Sequence, residues 1–169
     1  IELFQKKYGK TVRPSDEKID SEIMYNKYDI FKNLYYLYMM AGVFMLIFTI
    51  IKIFKNNKGI NFAVKFFHIL IGIFFALHTA GLIMRWYISG HAPWSDAYES
   101  MIYVGWATMF FGLAFGRQSQ LTVASTAFVA SMILMIAHWS WMDPAIANLQ
   151  PVLNSYWLMI HVAVIVASY

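Results

Sequence analysis

The chain has 169 residues, of which 60% are hydrophobic and only 13% charged, and its mean hydropathy of +0.53 lies far above that of a soluble domain of this size. These values describe an integral membrane protein. The net charge of +4 is too dispersed for a nucleic-acid surface, and the lack of cysteine excludes thiolate metal sites, disulfide frameworks and a thioether bond to the chain itself, so any metal falls to histidine.

Residues 1–33 hold seven Lys/Arg against six Asp/Glu and are read as the end of an extracytoplasmic soluble region, with no pattern that assigns a fold. Residues 34–169 are predicted to form an all-α, polytopic membrane helical bundle of four full transmembrane helices plus the truncated start of a fifth. The first span runs from Leu34 to about Phe54 and ends at Lys55-Asn56-Asn57-Lys58-Gly59. The second covers about Asn61 to Tyr87, the third Ala97 to Phe115, the fourth Leu121 to Ala137. A fifth apolar run from Trp157 stops after 13 residues, short of the roughly 20 needed to cross a bilayer. The opening Ile1-Glu2-Leu3-Phe4 has no methionine and no basic n-region. The chain is therefore expected to be a piece of a longer one.

Lys52, Lys55, Lys58 and Lys65 crowd the turn between the first two spans, and Arg117 lies in the turn between the third and fourth. The positive-inside rule puts both turns in the cytoplasm, so residues 88–96 and 138–156 form outward loops. Trp86, Trp94, Trp139, Trp141 and Trp157 lie in or beside those loops, whereas the opposite helix ends carry Phe but no Trp or Tyr. An aromatic belt should ring both faces. The asymmetry fits the wall of a site for a flat hydrophobic ligand.

Five histidines are candidates for chemistry. His68 and His78 are ten residues apart on one helix, a turn of 280° and a climb of about 15 Å, so they cannot hold one metal. His68, beside Lys65, reads as a solvated interfacial residue, and the deeper His78 as a structural hydrogen-bonding group. His91, in Ser89-Gly90-His91-Ala92-Pro93-Trp94-Ser95-Asp96, reads as a mobile loop residue, and His138 is open between loop and site. Asp96 and Glu99 form a capping box at the start of the third span. Arg85 reads as an uncompensated cation near the outer end of the second span. It has two readings, snorkelling to lipid phosphate or binding a carboxylate of a ligand. Gly105, Gly112 and Gly116, and Ala127, Ala130 and Ser131, mark close helix packing.

Two stretches carry a family resemblance: Leu82 to Ser100, with Arg85-Trp86, Ser89-Gly90-His91, Pro93, Ser95 and Tyr98-Glu99-Ser100, and Leu153 to Val162, with Ser155, Trp157-Leu158 and His161-Val162. Together they closely resemble the CcsA family of System II cytochrome c synthases, in its fused CcsBA form, over roughly residues 80–169. The resemblance implies a holocytochrome c synthase of heme lyase type in the bacterial inner membrane, with its active face toward the periplasm. The segment by itself is expected to be inactive without the remainder of the CcsBA chain. His161 becomes an axial ligand of heme b (iron protoporphyrin IX), whose vinyl groups take the thiols of a Cys-x-x-Cys-His apocytochrome c. Trp86, Trp94, Trp141 and Trp157 become candidate walls for the porphyrin, and Arg85, from charge and position, a candidate propionate partner. The competing classes are a b-type heme electron-transfer subunit, which would attach nothing, and a metal-free transporter subunit, which would be colourless.

Overall fold

In the computed structural model, the described residues are 15–116, 119–139, 143–146 and 155–168, and every regular element among them is helical. The helices are α1 (Asp16–Tyr28), α2 (Ile30–Phe54), α3 (Lys58–Ser89), α4 (Ala97–Phe115), α5 (Gln120–His138) and α6 (Tyr156–Ser168). Part of the stretch that the sequence left without a fold is thus a helix. Ser15 starts α1 by accepting from the Lys18 amide, and Asp16 and Glu17 occupy its first turn, where carboxylates suit the helix dipole. Asp29 then adopts a left-handed conformation, φ 40°. One residue redirects the chain into α2, which begins four residues ahead of the predicted first span.

The other boundaries lie within a few residues of those predicted, because polar caps bracket the apolar runs. Asp96 and Ser119 accept from the amides of Glu99 and Thr122 at the starts of α4 and α5. Gly90 ends α3 at φ 76°, its N–H on the Trp86 carbonyl at 2.9 Å, a conformation that glycine adopts without strain. Among the described residues, three helical stretches are long and apolar enough to cross a membrane: residues 16–54, counted through Asp29, α3 and α5. The protein is multi-pass. The predicted third span, α4, is not among the three. Its 19 residues reach about 28 Å, but Glu99, Ser100, two tyrosines and a tryptophan lower its apolarity.

Within the bundle α2 is central, packed most extensively on α5 and then on α3; α4 packs on α5 and more lightly on α3, α1 lies on α3, and α6 lies on α4. One end of the bundle therefore gathers the start of α2, the end of α3, the start of α4 and the end of α5. Lys52 marks the opposite end, where its Nζ donates to Gln120 Oε1 at 3.0 Å. Leu34, Tyr38, Met45, Ile71, Ile102 and Leu134 are fully buried between the helices.

In a membrane no hydrophobic force drives helices together, so small residues that permit close backbone approach do much of the work. Ala124 and Ala127 of α5 face Gly42 of α2, and a Cβ on Gly42 would stand 3.0 Å from the Phe128 nitrogen and 3.2 Å from the Ala124 oxygen. A Cβ on Gly112 would collide with the Thr126 side chain. The glycine and alanine stripes read from the sequence are packing surfaces, as expected. Replacing Gly42 with Leu should cost about 1–3 kcal/mol, because backbone atoms cannot rotate away. Gly72→Leu, with nothing within 4 Å of the new Cβ, should leave the thermal midpoint in detergent unchanged, and the pair of melting curves checks both.

Candidate functional site

The end of α3 carries Arg85, whose side chain is completely buried. Its Nε donates to Glu99 Oε1 of α4 at 2.8 Å, and the Glu99 side chain is equally buried. Nη1 donates to the Tyr25 hydroxyl of α1 at 3.3 Å and to the Pro144 carbonyl at 2.9 Å; Nη2 donates to the Ala145 carbonyl at 3.1 Å. Asp96 Oδ2 stands 3.9 Å from Nη2, and the Tyr98 ring centroid lies 5.1 Å from the guanidinium carbon. One guanidinium thus joins α1, α3, α4 and the segment after α5.

These partners correct the sequence reading of Arg85 as an uncompensated cation, and its full burial excludes snorkelling to lipid. Four of its five N–H groups are engaged by protein acceptors. The capping box is corrected by half. Asp96 Oδ1 accepts from the Glu99 amide at 2.6 Å, but the Glu99 carboxylate turns away, taking Arg85 on one oxygen and Ser95 N and Oγ at 3.0 and 2.7 Å on the other. Desolvation holds the Asp96 carboxyl above its ordinary pKa, against the lowering pull of the Glu99 amide and Arg85.

The loop between α3 and α4 folds inward on this cluster. His91, expected to be mobile, is 9% exposed, with its Nδ1 3.0 Å from Ser95 Oγ; the positive-φ turn at Gly90 tucks it under. Pro93 and Ala92 are buried with it. Trp94 is half-buried. Its indole N–H donates to the Met159 carbonyl of α6 at 3.1 Å, and its ring packs 5.1 Å from Tyr103 and edge-on to Trp86 at 6.2 Å. Between α4 and α6 lies an apolar groove of about 510 Å³, lined by Trp94, Tyr103 and Phe111 on one side and by Ile160, Ala163, Val164, Ala167 and Ser168 on the other.

Of the residues singled out from the sequence, the structure brings Arg85, Trp86 and Trp94 together and attaches α6 to them through Met159. His161 is exposed on α6 and does not line the groove; Trp157, one turn earlier and 78% exposed, shares its side of the helix. Trp141 and Arg117 lie outside the described residues. His78 is buried with Nε2 3.1 Å from the Ile102 carbonyl, the structural hydrogen bond expected of it. His68 is half-buried, and the His138 ring stacks with Tyr35 at 6.3 Å. Sequence reasoning missed Tyr25 and the pairing of Arg85 with Glu99. A signal existed, since Arg85, Asp96 and Glu99 are the only charged residues between Lys65 and Arg117.

Residues 94–169, from Trp94 through α6, match the model of the cytochrome c assembly protein family. Protein NrfI of Wolinella succinogenes is 42% identical over all 169 residues, which are 19% of that protein's length. Cytochrome c biogenesis protein CcsA of Prochlorococcus marinus is 31% identical over 153 residues in strain MIT 9301 and 36% over 118 residues in strain MIT 9515. The chain belongs to the CcsA family of cytochrome c biogenesis proteins. It spans 48% and 36% of the length of those two CcsA relatives.

In this CcsA-family chain the Arg85–Glu99 pair is the largest electrostatic commitment among the described residues. Burying two ions is costly, and removing one partner leaves the other uncompensated, at about 3–5 kcal/mol. Arg85→Leu and Glu99→Leu should each destabilise the fold by that order. The double substitution should recover much of the loss, and a double-mutant cycle on detergent melting curves measures the coupling.

Proposed function

We propose that the end of the bundle carrying Arg85, Trp94 and His161 is a heme-handling face of a cytochrome c synthase. It faces the periplasm from a bacterial inner membrane, with α4 as a fourth span beside the three apolar ones. Heme b is the substrate, the acceptor is an apocytochrome c with a Cys-x-x-Cys-His motif, and the remainder of a longer CcsBA chain completes the site. The observation that carries this reading is the juxtaposition at one helix start: an exposed imidazole on α6 with an exposed indole one turn before it, next to an apolar groove walled by Trp94 and Tyr103. A flat, apolar macrocycle with a metal at its centre needs that combination of nitrogen donor and aromatic surface.

In this reading His161 is an axial ligand, and Trp86, Trp94, Trp141 and Trp157 are walls against the porphyrin. Arg85 takes a different part from the one its charge first implied. Its donors hold Glu99, Tyr25 and two carbonyls, so it supports the walls, and a propionate would have to displace one of those partners. Each thiol adds across a vinyl double bond: a C–S bond forms, the thiol proton moves to the neighbouring carbon, and no oxidant is consumed. The contribution of the protein is to fix the heme against reduced thiols, which is catalysis by positioning. Membership in a cytochrome c biogenesis family favours this over an electron-transfer or transporter subunit.

The test uses the full-length protein, wild type beside His161→Gly, compared by reduced absorption spectra and by yield of attached cytochrome. The substitution should abolish the low-spin heme spectrum and the attachment, and added imidazole should restore the spectrum. An unchanged spectrum removes His161 from the site.

A further inference from the structure

The helix that bears His161 is held to the bundle in an unusual way. Its contacts are chiefly with α4, and the side it turns to the groove is built largely from small or aliphatic residues, Ala163, Val164 and Ala167 among them. Such a surface sets neither the rotation of a helix nor its height sharply, because dispersion contacts are non-directional and lipid supplies no hydrophobic force between helices. One residue of slippage turns a helix by 100°, enough to point an imidazole away from a metal. A directional contact at this junction is the indole N–H of Trp94 on the Met159 carbonyl, at 3.1 Å and two residues before His161.

Trp94 is itself braced from behind. Its backbone N–H donates to the Ala92 carbonyl at 2.9 Å. The neighbouring Ser95 places both its amide and its hydroxyl on Glu99 Oε2, while Glu99 Oε1 is held by Arg85. The Trp94 ring is wedged against Tyr103. The chain of contacts runs without a break from the buried ion pair to the backbone of α6.

We propose that Trp94, braced by the Arg85–Glu99–Ser95 cluster, is a positioning residue that fixes the rotation and height of α6 and so aims the His161 imidazole at the heme iron. This rests on the heme-handling reading above and assigns Trp94 a role beyond that of a wall, carried by its N–H rather than by its ring.

The experiment compares Trp94→Phe, which keeps an aromatic ring and removes the donor, with His161→Gly and wild type in the full-length protein. The readout is the low-spin fraction of bound heme, per heme, in material that elutes as folded protein. Trp94→Phe should lower the ratio of low-spin to high-spin heme roughly three- to tenfold, the population equivalent of one net hydrogen bond, and imidazole should restore it. A wild-type low-spin fraction in Trp94→Phe, together with its loss in His161→Gly, overturns the positioning role and leaves the heme reading standing. Wild-type spectra in both remove His161 from the site and, with it, the positioning role of Trp94. Ser95→Ala keeps Trp94 and loosens its brace, and it supplies the same comparison if Trp94→Phe is not recovered folded: a lowered fraction that imidazole restores supports the role, and a wild-type fraction overturns it.

Discussion

A buried guanidinium and a buried carboxylate in contact organise one whole end of this bundle. In a chain with so few charges, Arg85 and Glu99 sit where the surroundings offer neither ion any water, so each depends on the other and on neutral hydrogen-bond partners. The pair draws in elements far apart in sequence: Tyr25 from the helix before the first span, Ser95 from the following loop, and the carbonyls of Pro144 and Ala145 beyond α5. Without it, the loop carrying His91 and Trp94 would lose the anchor on which its own hydrogen bonds close.

The rest of the bundle is held by shape. Gly42 lets α2 lie against the alanine stripe of α5, and Trp106 of α4 reaches α3 through its indole N–H on Thr79 Oγ1 at 2.9 Å. Close packing at the centre and an ion pair at one end divide the labour: the first fixes how the helices lie side by side, the second fixes the loops that join them. The groove between α4 and α6 falls at the margin of both, where packing is light and the indole of Trp94 makes a directional contact.

What could be read from the sequence follows from how local each feature is. The apolar runs and their polar punctuation gave helix limits to within a few residues, and the small-residue stripes announced the contact faces. Residues Leu82–Ser100 and Leu153–Val162 were enough to identify the family. Glu99 was harder, because Asp96-x-x-Glu99 has a complete local explanation as a capping box, and nothing nearby says that its carboxylate reaches across a turn to Arg85 instead. The burial of His91 depends on the left-handed turn at Gly90, and the bond of Trp94 to Met159 joins residues 65 apart in the chain. Contacts of that separation leave no periodic trace.

Arg85 grips the segment after α5 by two main-chain oxygens, those of Pro144 and Ala145, and, among the described residues, by no side chain there. A backbone carbonyl is offered by every residue type, so this anchor is blind to the identity of the amino acids it holds and answers only to the path of the chain. The described segment is thereby tied down through its main chain while its side chains stay free to drift. Variation in its side chains can retune what the face meets without loosening the attachment that keeps the face in place.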